Sequence, residues 1–338
     1  MLRLPQFDLK TPTTVDEVCA LMTEHGENAM LVAGGTDLLP NMKHELFTPD
    51  VVVSLADVEG LNGITEHADG SLTIGATTPL DTVATDERVL RRAPAVAQAA
   101  GLVAGPQLRR MGTLGGNVML DTRCQWYNQT YFWRQALGFC MKKDGTVCHV
   151  VQGGSKCVAA ASNDTAPALM SVGAELEFRT SDTERRLPID KLWVADGIHN
   201  KDSRGELLTS VHVPAQRAGH RGAYGKLRER GSIDFPLFGV AVRLDVEHGT
   251  IVDAAAAVVA LQARPLHLKK FRETMTGVTL DTPEFETALG KVVDASYKQC
   301  RPMPNIPGDE EWRREVAPIY VERTVRAALD GTGPVHHV

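Results

Sequence analysis

The stretch LVAGGTDLLP at residues 31–40 joins a short apolar strand to a turn with two successive glycines. Adjacent glycines permit positive φ and let the main chain approach a ligand closely. Successive backbone N–H groups in such a turn form a concavity that suits phosphate oxygens, and the Thr36 hydroxyl adds a donor. The pattern is neither G-x-G-x-x-G nor G-x-x-x-x-G-K-[ST], so it is neither a Rossmann fingerprint nor a P-loop. Taken alone, it is also compatible with a plain tight turn.

A second glycine-rich segment, MGTLGGN, occupies residues 111–117. Its Asn117 can both donate and accept hydrogen bonds, which suits the polar rim of a cofactor. Two such segments in one chain predict a ligand with two neighbouring phosphates, or one long nucleotide. A purely structural turn remains the alternative for each segment.

Short helices and strands surround both segments and predict an α+β chain. Thr14 and Glu17 form a capping box and Gly26 ends the same helix, which is therefore predicted over 14–26. The pattern divides into three units, 1–58, 59–218 and 219–338. Strands are expected at 29–33, 51–55, 72–75, 166–172, 175–179, 206–213, 223–227, 238–246 and 250–261, and helices at 79–90, 93–104 and 307–329, where Pro318 should kink or divide the last one.

The composition is that of an ordinary globular protein. Of 338 residues 43% are hydrophobic and 23% are charged, which excludes disordered and collagen-like chains. A net charge of −6 without a basic block argues against nucleic acid as the main partner. The first 25 residues hold charged side chains throughout and no apolar signal core, so a cytoplasmic protein is expected.

Four of the six cysteines fall within residues 124–157, with the spacing C-x15-C-x7-C-x8-C. Four thiolates are the ligand set of a [4Fe–4S] cluster and also of structural zinc. Structural zinc usually uses short C-x₂₋₄-C knuckles, which this segment lacks. Unligated core or redox thiols are the third alternative. Cys19 and Cys300 are expected to be buried thiols, and His149 a neighbour of the site rather than a ligand.

The same segment is unusual in its other residues. Six aromatic side chains lie within residues 126–139, and they predict the dry shell that an iron–sulfur cluster needs. A local charge of +3 would offset anionic thiolates and attract an acidic electron carrier. A small core under a loop and a solvated charged face are the simpler interpretations. The residues are Trp126, Tyr127, Tyr131, Phe132, Trp133 and Phe139, with Arg134, Lys142, Lys143 and Lys156 against Asp144.

Residues 33–39 and 113–117 together resemble the FAD-binding medium subunit of the molybdenum hydroxylase (xanthine dehydrogenase) family. The matches NDTAPAL at 163–169 and YGK…R…DFP at 224–236 extend the resemblance over nearly the whole chain. It implies a two-subdomain FAD-binding fold of the PCMH (vanillyl-alcohol-oxidase) type, followed by a C-terminal α+β domain of the CO dehydrogenase flavoprotein type.

The resemblance also implies which residues hold FAD. The first loop would bind the pyrophosphate, the second would add contacts, Asp164 would serve the nucleotide side and Lys226 would lie near the flavin. From the residues alone, Asp164 is also compatible with a turn and Lys226 with a solvated strand position. The implied set is Leu31, Val32, Ala33, Gly34, Gly35, Thr36, Asp37, Leu38, Thr113, Gly116, Asn117, Asp164 and Lys226.

The cysteine-rich insert, at about 122–160, narrows the resemblance. It is similar to the β-subunit of the 4-hydroxybenzoyl-CoA reductases, whose insertion carries a [4Fe–4S] cluster on four cysteines. The similarity includes the sequences DTRC at 121–124 and YNQ at 127–129. It implies the metal ligands Cys124, Cys140, Cys148 and Cys157.

This similarity implies an electron-transfer role. Electrons from an external donor such as ferredoxin would pass through [4Fe–4S] and FAD to [2Fe–2S] clusters in a small partner subunit. They would then reach molybdenum in a large one, in a dimer of heterotrimers. The complex would remove a phenolic hydroxyl from an aromatic acyl-CoA during anaerobic aromatic degradation.

The chain lacks the motifs of substrate chemistry. No C-x₄-C-x₂-C run, no H-E-x-x-H and no Ser/His/Asp set occurs, and the length leaves no room for a molybdopterin domain. No catalytic residue is therefore expected here. Two other functions stay open. One is the medium subunit of an oxidative molybdenum hydroxylase or dehydrogenase, and the other is a zinc-stapled nucleotide-binding scaffold without redox activity.

Overall fold

The first unit in the chain is a small parallel sheet that carries the 31–40 stretch. The computed structural model describes residues 2–203 and 205–336. Thr14 and Glu17 form the expected capping box, and Gly26 follows the last helical residue. The 31–40 stretch connects the second strand to the second helix. The elements are β1 (Asp8–Lys10), α1 (Val15–His25), β2 (Ala29–Val32), α2 (Leu38–Lys43) and β3 (Val51–Ser54), with the sheet order β1-β3-β2.

The second unit is a five-stranded antiparallel sheet covered by short helices. Its sheet order is β4-β5-β8-β6-β7. The strands are β4 (Ile64–Glu66), β5 (Leu72–Gly75), β6 (Glu175–Arg179), β7 (Glu184–Pro188) and β8 (Leu207–Val213). The helices are α3 (Leu80–Thr85), α4 (Glu87–Arg92), α5 (Pro94–Gly101), α6 (Pro106–Met111), α7 (Leu114–Val118), α8 (Tyr131–Ala136) and α9 (Thr165–Ser171).

Two expectations for this unit were wrong. The helix expected over 79–90 is two helices, because the Asp86 side chain accepts from the N–H groups of Arg88 and Val89 and starts α4 there. The strand expected over 166–172 is the helix α9. All seven residues of α9 are buried, so its apolar pattern has no period that separates helix from strand.

The third unit is a four-stranded antiparallel sheet packed against three helices. Its order is β12-β11-β10-β9. The strands are β9 (His220–Leu227), β10 (Phe238–Glu247), β11 (Thr250–Val259) and β12 (Leu266–His267). The helices are α10 (Phe271–Met275), α11 (Pro283–Gln299), which the sequence pattern did not predict, and α12 (Glu310–Asp330).

The last helix differs from its expected form in its apolar side. Pro318 lies inside α12 and does not divide it, which leaves a kink as the expected effect. Tyr320 is buried, but Trp312 and Ile319, expected on the same apolar side, are 39% and 45% exposed.

A shared core joins the second and third units. Leu176, Leu169 and Val96 of the second unit belong to the same buried cluster as Tyr224 and Ala257 of the third sheet. Since β9 therefore packs on the helices of the second unit, its side chains reach the N-terminal end of α9. The expected α+β fold class is confirmed. Among the described residues, no helix is long and apolar enough to span a membrane.

Candidate cofactor sites

The first glycine loop exposes backbone donors. Residues 31–39 are half-buried throughout, between β2 and α2. In the described part of the chain, the N–H groups of Gly34, Gly35 and Thr36 donate to no acceptor. Gly35 has φ +68°, the left-handed conformation that favours glycine. The loop therefore has the free donors that an anion-binding concavity needs, and its binding of a phosphate stays a prediction.

The second glycine loop packs directly on the first. A Cβ at Gly34 would overlap the carbonyl oxygen of Met111, so only glycine allows this contact. On the other side of the contact, a Cβ at Gly112 would lie 3.3 Å from Oγ1 of Thr36. The two motifs, distant in sequence, thus form one surface.

The second loop is not a second anion concavity, however. The N–H of Gly115 donates to Ala76 O at 2.8 Å, and that of Gly116 donates to Thr113 Oγ1 at 3.1 Å. The N–H of Asn117 donates to Thr113 O at 2.9 Å. Because these donors are already satisfied within the protein, the second loop serves as a rigid wall beside the first.

Asn117 connects this wall to the segment before α9. Its Oδ1 accepts from the N–H of Thr165 at 3.1 Å and from the Thr165 hydroxyl at 2.6 Å. Asn163 Nδ2 donates in return to Asn117 O at 2.7 Å. Both the Oδ1 atom and the backbone carbonyl oxygen of Asn117 are thus engaged in internal hydrogen bonds. The contact of Asn117 with a cofactor stays a prediction.

Asp164 and Lys226 form a buried ion pair at the boundary with the third unit. Lys226 Nζ lies 3.1 Å from Asp164 Oδ2 and also donates to Leu102 O at 2.9 Å. The Tyr224 hydroxyl donates to Asp164 Oδ1 at 2.9 Å. Burial raises the pKa of the Asp164 carboxyl, and the charge of Lys226 opposes that shift. Lys226 is fully buried, so it is not the solvated strand lysine of the simpler interpretation.

The cysteine insert is a long loop that leaves the second unit and returns to it at neighbouring positions. Arg123 and Ala160 exchange two backbone hydrogen bonds of 2.7 Å each, which hold its two ends together. Between these ends, Cys124, Cys140, Cys148 and Cys157 line a single small chamber. All four predicted ligands thus border the same chamber.

The chamber is dry on most sides. Cys124, Cys140 and Cys157 are buried, whereas Cys148 is half-exposed. Burial raises the pKa of the Cys124 thiol to about 11 and also raises that of Cys157. A metal would therefore displace protons on binding. Within residues 2–203 and 205–336, no three Cys, His, Asp or Glu side chains are grouped to hold a single metal ion, and the metal set stays a prediction.

The surroundings of the chamber match the predicted shell only in part. Trp126 and Tyr127 line it, and His149 lies against Trp126 with a ring-centroid distance of 5.5 Å. His149 Nε2 is 2.6 Å from Phe139 O, so one ring nitrogen is already engaged. Phe132 points to solvent, with 79% exposure, because α8 lies on the surface of the insert.

The local positive charge is largely paired. Arg134 is fully buried and forms a 2.8 Å ion pair with Asp144. Lys142, with 5% side-chain exposure, pairs with Asp121 at 2.8 Å, and Asp121 lies just before the segment whose charge was counted. Lys143 lies 3.7 Å from the same Asp144 and Lys156, next to Cys157, is exposed, so counting Asp121 lowers the local net charge from +3 to +2 without cancelling it.

Arg123 is the functional candidate that sequence reasoning gave no role. Its guanidinium donates to the Asp37 carboxylate and packs on the Phe235 ring, with Cζ 4.6 Å from the centroid. Burial lowers the pKa of Arg123 to about 10, so it stays charged at neutral pH. Its position just before Cys124 was visible in the sequence, but its pairing with Asp37 could not be read from the sequence.

Comparison with known proteins agrees with this geometry. Residues 5–216 match the family model of the FAD binding domain in molybdopterin dehydrogenase, and residues 223–328 match that of the CO dehydrogenase flavoprotein C-terminal domain.

The chain belongs to the FAD-binding medium subunits of the xanthine dehydrogenase/CO dehydrogenase family.

Its similarity to the individual members named here covers between 66% and 97% of the chain. The chain is 28% identical to the carbon monoxide dehydrogenase medium chain of Afipia carboxidovorans, over 95% of this chain and 96% of that one. It is 31% identical to the aldehyde oxidoreductase FAD-binding subunit PaoB of Escherichia coli K12, over 66% and 72%. The carbon monoxide dehydrogenase structure from Hydrogenophaga pseudoflava superposes with a TM-score of 0.79 at 25% identity, over 97% and 99%.

As a medium subunit of this family, the chain binds FAD, and its relatives are subunits of oxidoreductases. The two stacked glycine loops are the place in the structure that fits a diphosphate, because free N–H groups face one surface there. The three relatives named above do not carry a benzoyl-CoA reductase name, so the resemblance to that group rests on the insert alone.

Proposed function

We propose that this chain is the FAD-carrying electron-transfer subunit of a molybdenum hydroxylase complex whose substrate chemistry takes place on a partner subunit. The observation that carries the proposal is the stack of the two glycine loops, which leaves the N–H groups of Gly34, Gly35 and Thr36 free beside one rigid wall. These groups would hold the FAD diphosphate. A bound flavin exchanges two-electron for one-electron chemistry, and the protein tunes it by charge and hydrogen bonds.

The oxidative direction is the favoured form of this function. The relatives are named carbon monoxide dehydrogenase, xanthine dehydrogenase and nicotine 6-hydroxylase subunits, at 28%, 24% and 24% identity. In such a complex, electrons would leave the substrate on the large subunit and reach FAD on this chain. The test is the purified complex with an oxidised dye and a panel of aldehydes and N-heterocycles. Dye reduction that depends on one of these substrates supports the oxidative direction.

We further propose that Cys124, Cys140, Cys148 and Cys157 hold a [4Fe–4S] cluster, which would supply one-electron transfer. The four thiols share one chamber, three of them are buried, and Trp126 and Tyr127 form part of its wall. A single zinc ion is the competing occupant. Low-temperature EPR of the dithionite-reduced chain should show a reduced cluster. A silent spectrum with zinc in the metal analysis would refute the proposal.

The cysteine insert favours one second candidate, a reductase of the 4-hydroxybenzoyl-CoA type. The insert is the feature on which the resemblance to that group rests, and the family match does not distinguish the direction of electron flow. The same purified complex decides between the two. Oxidation of a reduced viologen that depends on 4-hydroxybenzoyl-CoA supports the reductase, and no such activity beside dye reduction by another substrate supports the hydroxylase.

The partners follow from the family. Relatives are medium chains and subunits of multi-subunit enzymes. A large molybdopterin subunit and a small [2Fe–2S] subunit are proposed here, with a dimer of heterotrimers, a ferredoxin donor and a cytoplasmic location as further predictions. Affinity purification of the tagged full chain from its native host should recover both subunits in equal amounts, and recovery of this chain alone would contradict the assembly.

A further inference from the structure

We propose that Arg123 is a positioning residue for FAD, because it neutralises Asp37 at the end of the diphosphate loop and anchors that loop to the cysteine insert. The inference rests on the proposed function in one respect, that the diphosphate of FAD occupies the loop at 33–37. It goes beyond that function because it assigns to Arg123 the link between the diphosphate loop and the cysteine insert.

Arg123 is buried at its contact with Asp37, whereas the Asp37 side chain is 34% exposed. The Arg123 side chain is 9% exposed, and its Nη2 donates to Asp37 Oδ1. Its Nη1 lies 3.4 Å from Asn41 Oδ1, and Asn41 Nδ2 donates to the other carboxylate oxygen of Asp37 at 3.1 Å. The Phe235 ring covers one face of the guanidinium. The carboxylate is thus held from two sides.

The backbone of Arg123 is itself held in place by hydrogen bonds. Its N–H and C=O both bond to Ala160, which closes the insert at its base. The next residue is Cys124, one of the four thiols of the chamber. Because the backbone cannot shift without opening this closure, the guanidinium presents a fixed charge to the loop.

The insert contacts α2 at its other end as well. Arg134 donates to Glu45 O at 3.1 Å and lies 3.5 Å from His44 O, just beyond the last residue of α2. The helix that follows the glycine loop is therefore held by the insert near its first residue and past its last. Arg134 is thus the second side chain by which the insert contacts the same helix.

The electrostatic need for Arg123 follows from the position of Asp37. This carboxylate comes directly after the free N–H groups of Gly34, Gly35 and Thr36. A diphosphate held by those groups would bring negative charge close to Asp37, and like charges at close range repel. Arg123 removes the repulsion by pairing with Asp37. It is not a ligand in this proposal, because it acts through the carboxylate.

FAD titration of the flavin-stripped full chain, followed by quenching of flavin fluorescence, tests this inference. Arg123→Gln should weaken FAD binding about tenfold, because the Asp37 carboxylate would then repel the diphosphate without a counter-charge. Arg123→Lys keeps the charge and should lose less. The double variant Asp37→Asn/Arg123→Gln should recover most of the wild-type affinity. Simple loss of packing would not be rescued in this way.

Arg185→Gln is the matched control. Arg185 also pairs with a carboxylate, Glu206, at 2.5 Å and packs on Phe178, but it lies on β7, away from the loop. The FAD affinity of the Arg185→Gln variant should equal that of the wild type. Unchanged affinity in Arg123→Gln, or failure of Asp37→Asn to rescue it, would overturn the inference. If the wild-type chain binds no FAD, the proposed function fails instead, and if it binds FAD without iron, the test of Arg123 stands unchanged.

Discussion

Lys226 Nζ lies 3.1 Å from Asp164 Oδ2, and both side chains are removed from solvent. The pair joins the segment before α9 to strand β9, and therefore joins the FAD-binding domain to the C-terminal domain. Tyr224, two residues before Lys226 on the same strand, donates to the other carboxylate oxygen. This arrangement holds the end of the second glycine loop, through Asn117 and Thr165, against the third unit.

Lys226→Met should destabilise the protein strongly, because it leaves the Asp164 carboxylate buried without its counter-charge. Breaking a buried pair in this way typically costs about 3–5 kcal/mol. The free energy of unfolding from urea titration measures the loss. Asp164→Asn combined with Lys226→Met should recover much of it, and equal losses in the single and double variants would show that the charge pair is not the cause.

Gly34→Ala should abolish FAD binding while leaving the rest of the fold intact. The added Cβ would overlap the carbonyl oxygen of Met111 and push the two glycine loops apart. Flavin content per chain after purification is the measurement. Gly290→Ala is the control: Gly290 lies inside α11 with open space around it, so its variant should keep FAD and gain about 0.5–1 kcal/mol in stability. Normal flavin content in Gly34→Ala would contradict the stacked-loop site.

Cys140→Ser should lose iron and keep FAD, because Cys140 lines the chamber and packs within the buried cluster of the insert. Iron and flavin are measured on the same sample. Cys19→Ser is the matched control, since Cys19 is an equally buried thiol in α1, outside the insert. Iron retained in Cys140→Ser would remove Cys140 from the ligand set, and iron lost in Cys19→Ser would point to misfolding instead.

The contact between His267 and Asp190 should make stability depend on pH. Their atoms Nε2 and Oδ1 lie 3.0 Å apart across the boundary between the two domains, and the hydrogen bond to Asp190 raises the pKa of His267. Since the folded pKa exceeds the unfolded value of about 6.5, the stabilisation is complete below that value and is lost as pH rises through the folded pKa. Urea titrations at about pH 6 and about pH 8 should show this loss in the wild type. Asp190→Asn should show a smaller one, and an identical pH dependence in both would refute the role of the pair.

Local elements were predictable from the sequence where their signals are local. The capping box at Thr14 and Glu17, the three long strands of the third unit and the turn at 33–37 all depend on neighbours in the chain, and each lies close to where it was expected. Helix α9 was mistaken for a strand because it is buried on every side. The wrong assignment therefore reflects the loss of amphipathic period, not a weak helix.

Contacts between distant segments were beyond prediction. The close approach of Gly34 to Met111 and the pairing of Arg123 with Asp37 depend on how the units pack. Lys226 was expected near a flavin, but nothing in the sequence indicated that Asp164 would be its partner. Likewise, the positive charges of the insert were countable, whereas their pairing with Asp144 and Asp121 required the fold.

The most direct test of the account is a combined determination of FAD, iron, acid-labile sulfide and zinc per chain in the anaerobically purified full-length protein. A medium subunit that also holds a [4Fe–4S] cluster in the chamber of Cys124, Cys140, Cys148 and Cys157 predicts a yellow-brown protein. It should contain about one FAD and about four irons with matching sulfide per chain. A protein with zinc in place of iron, or with FAD and no metal, would contradict the cluster, and a colourless protein without flavin would contradict the account as a whole.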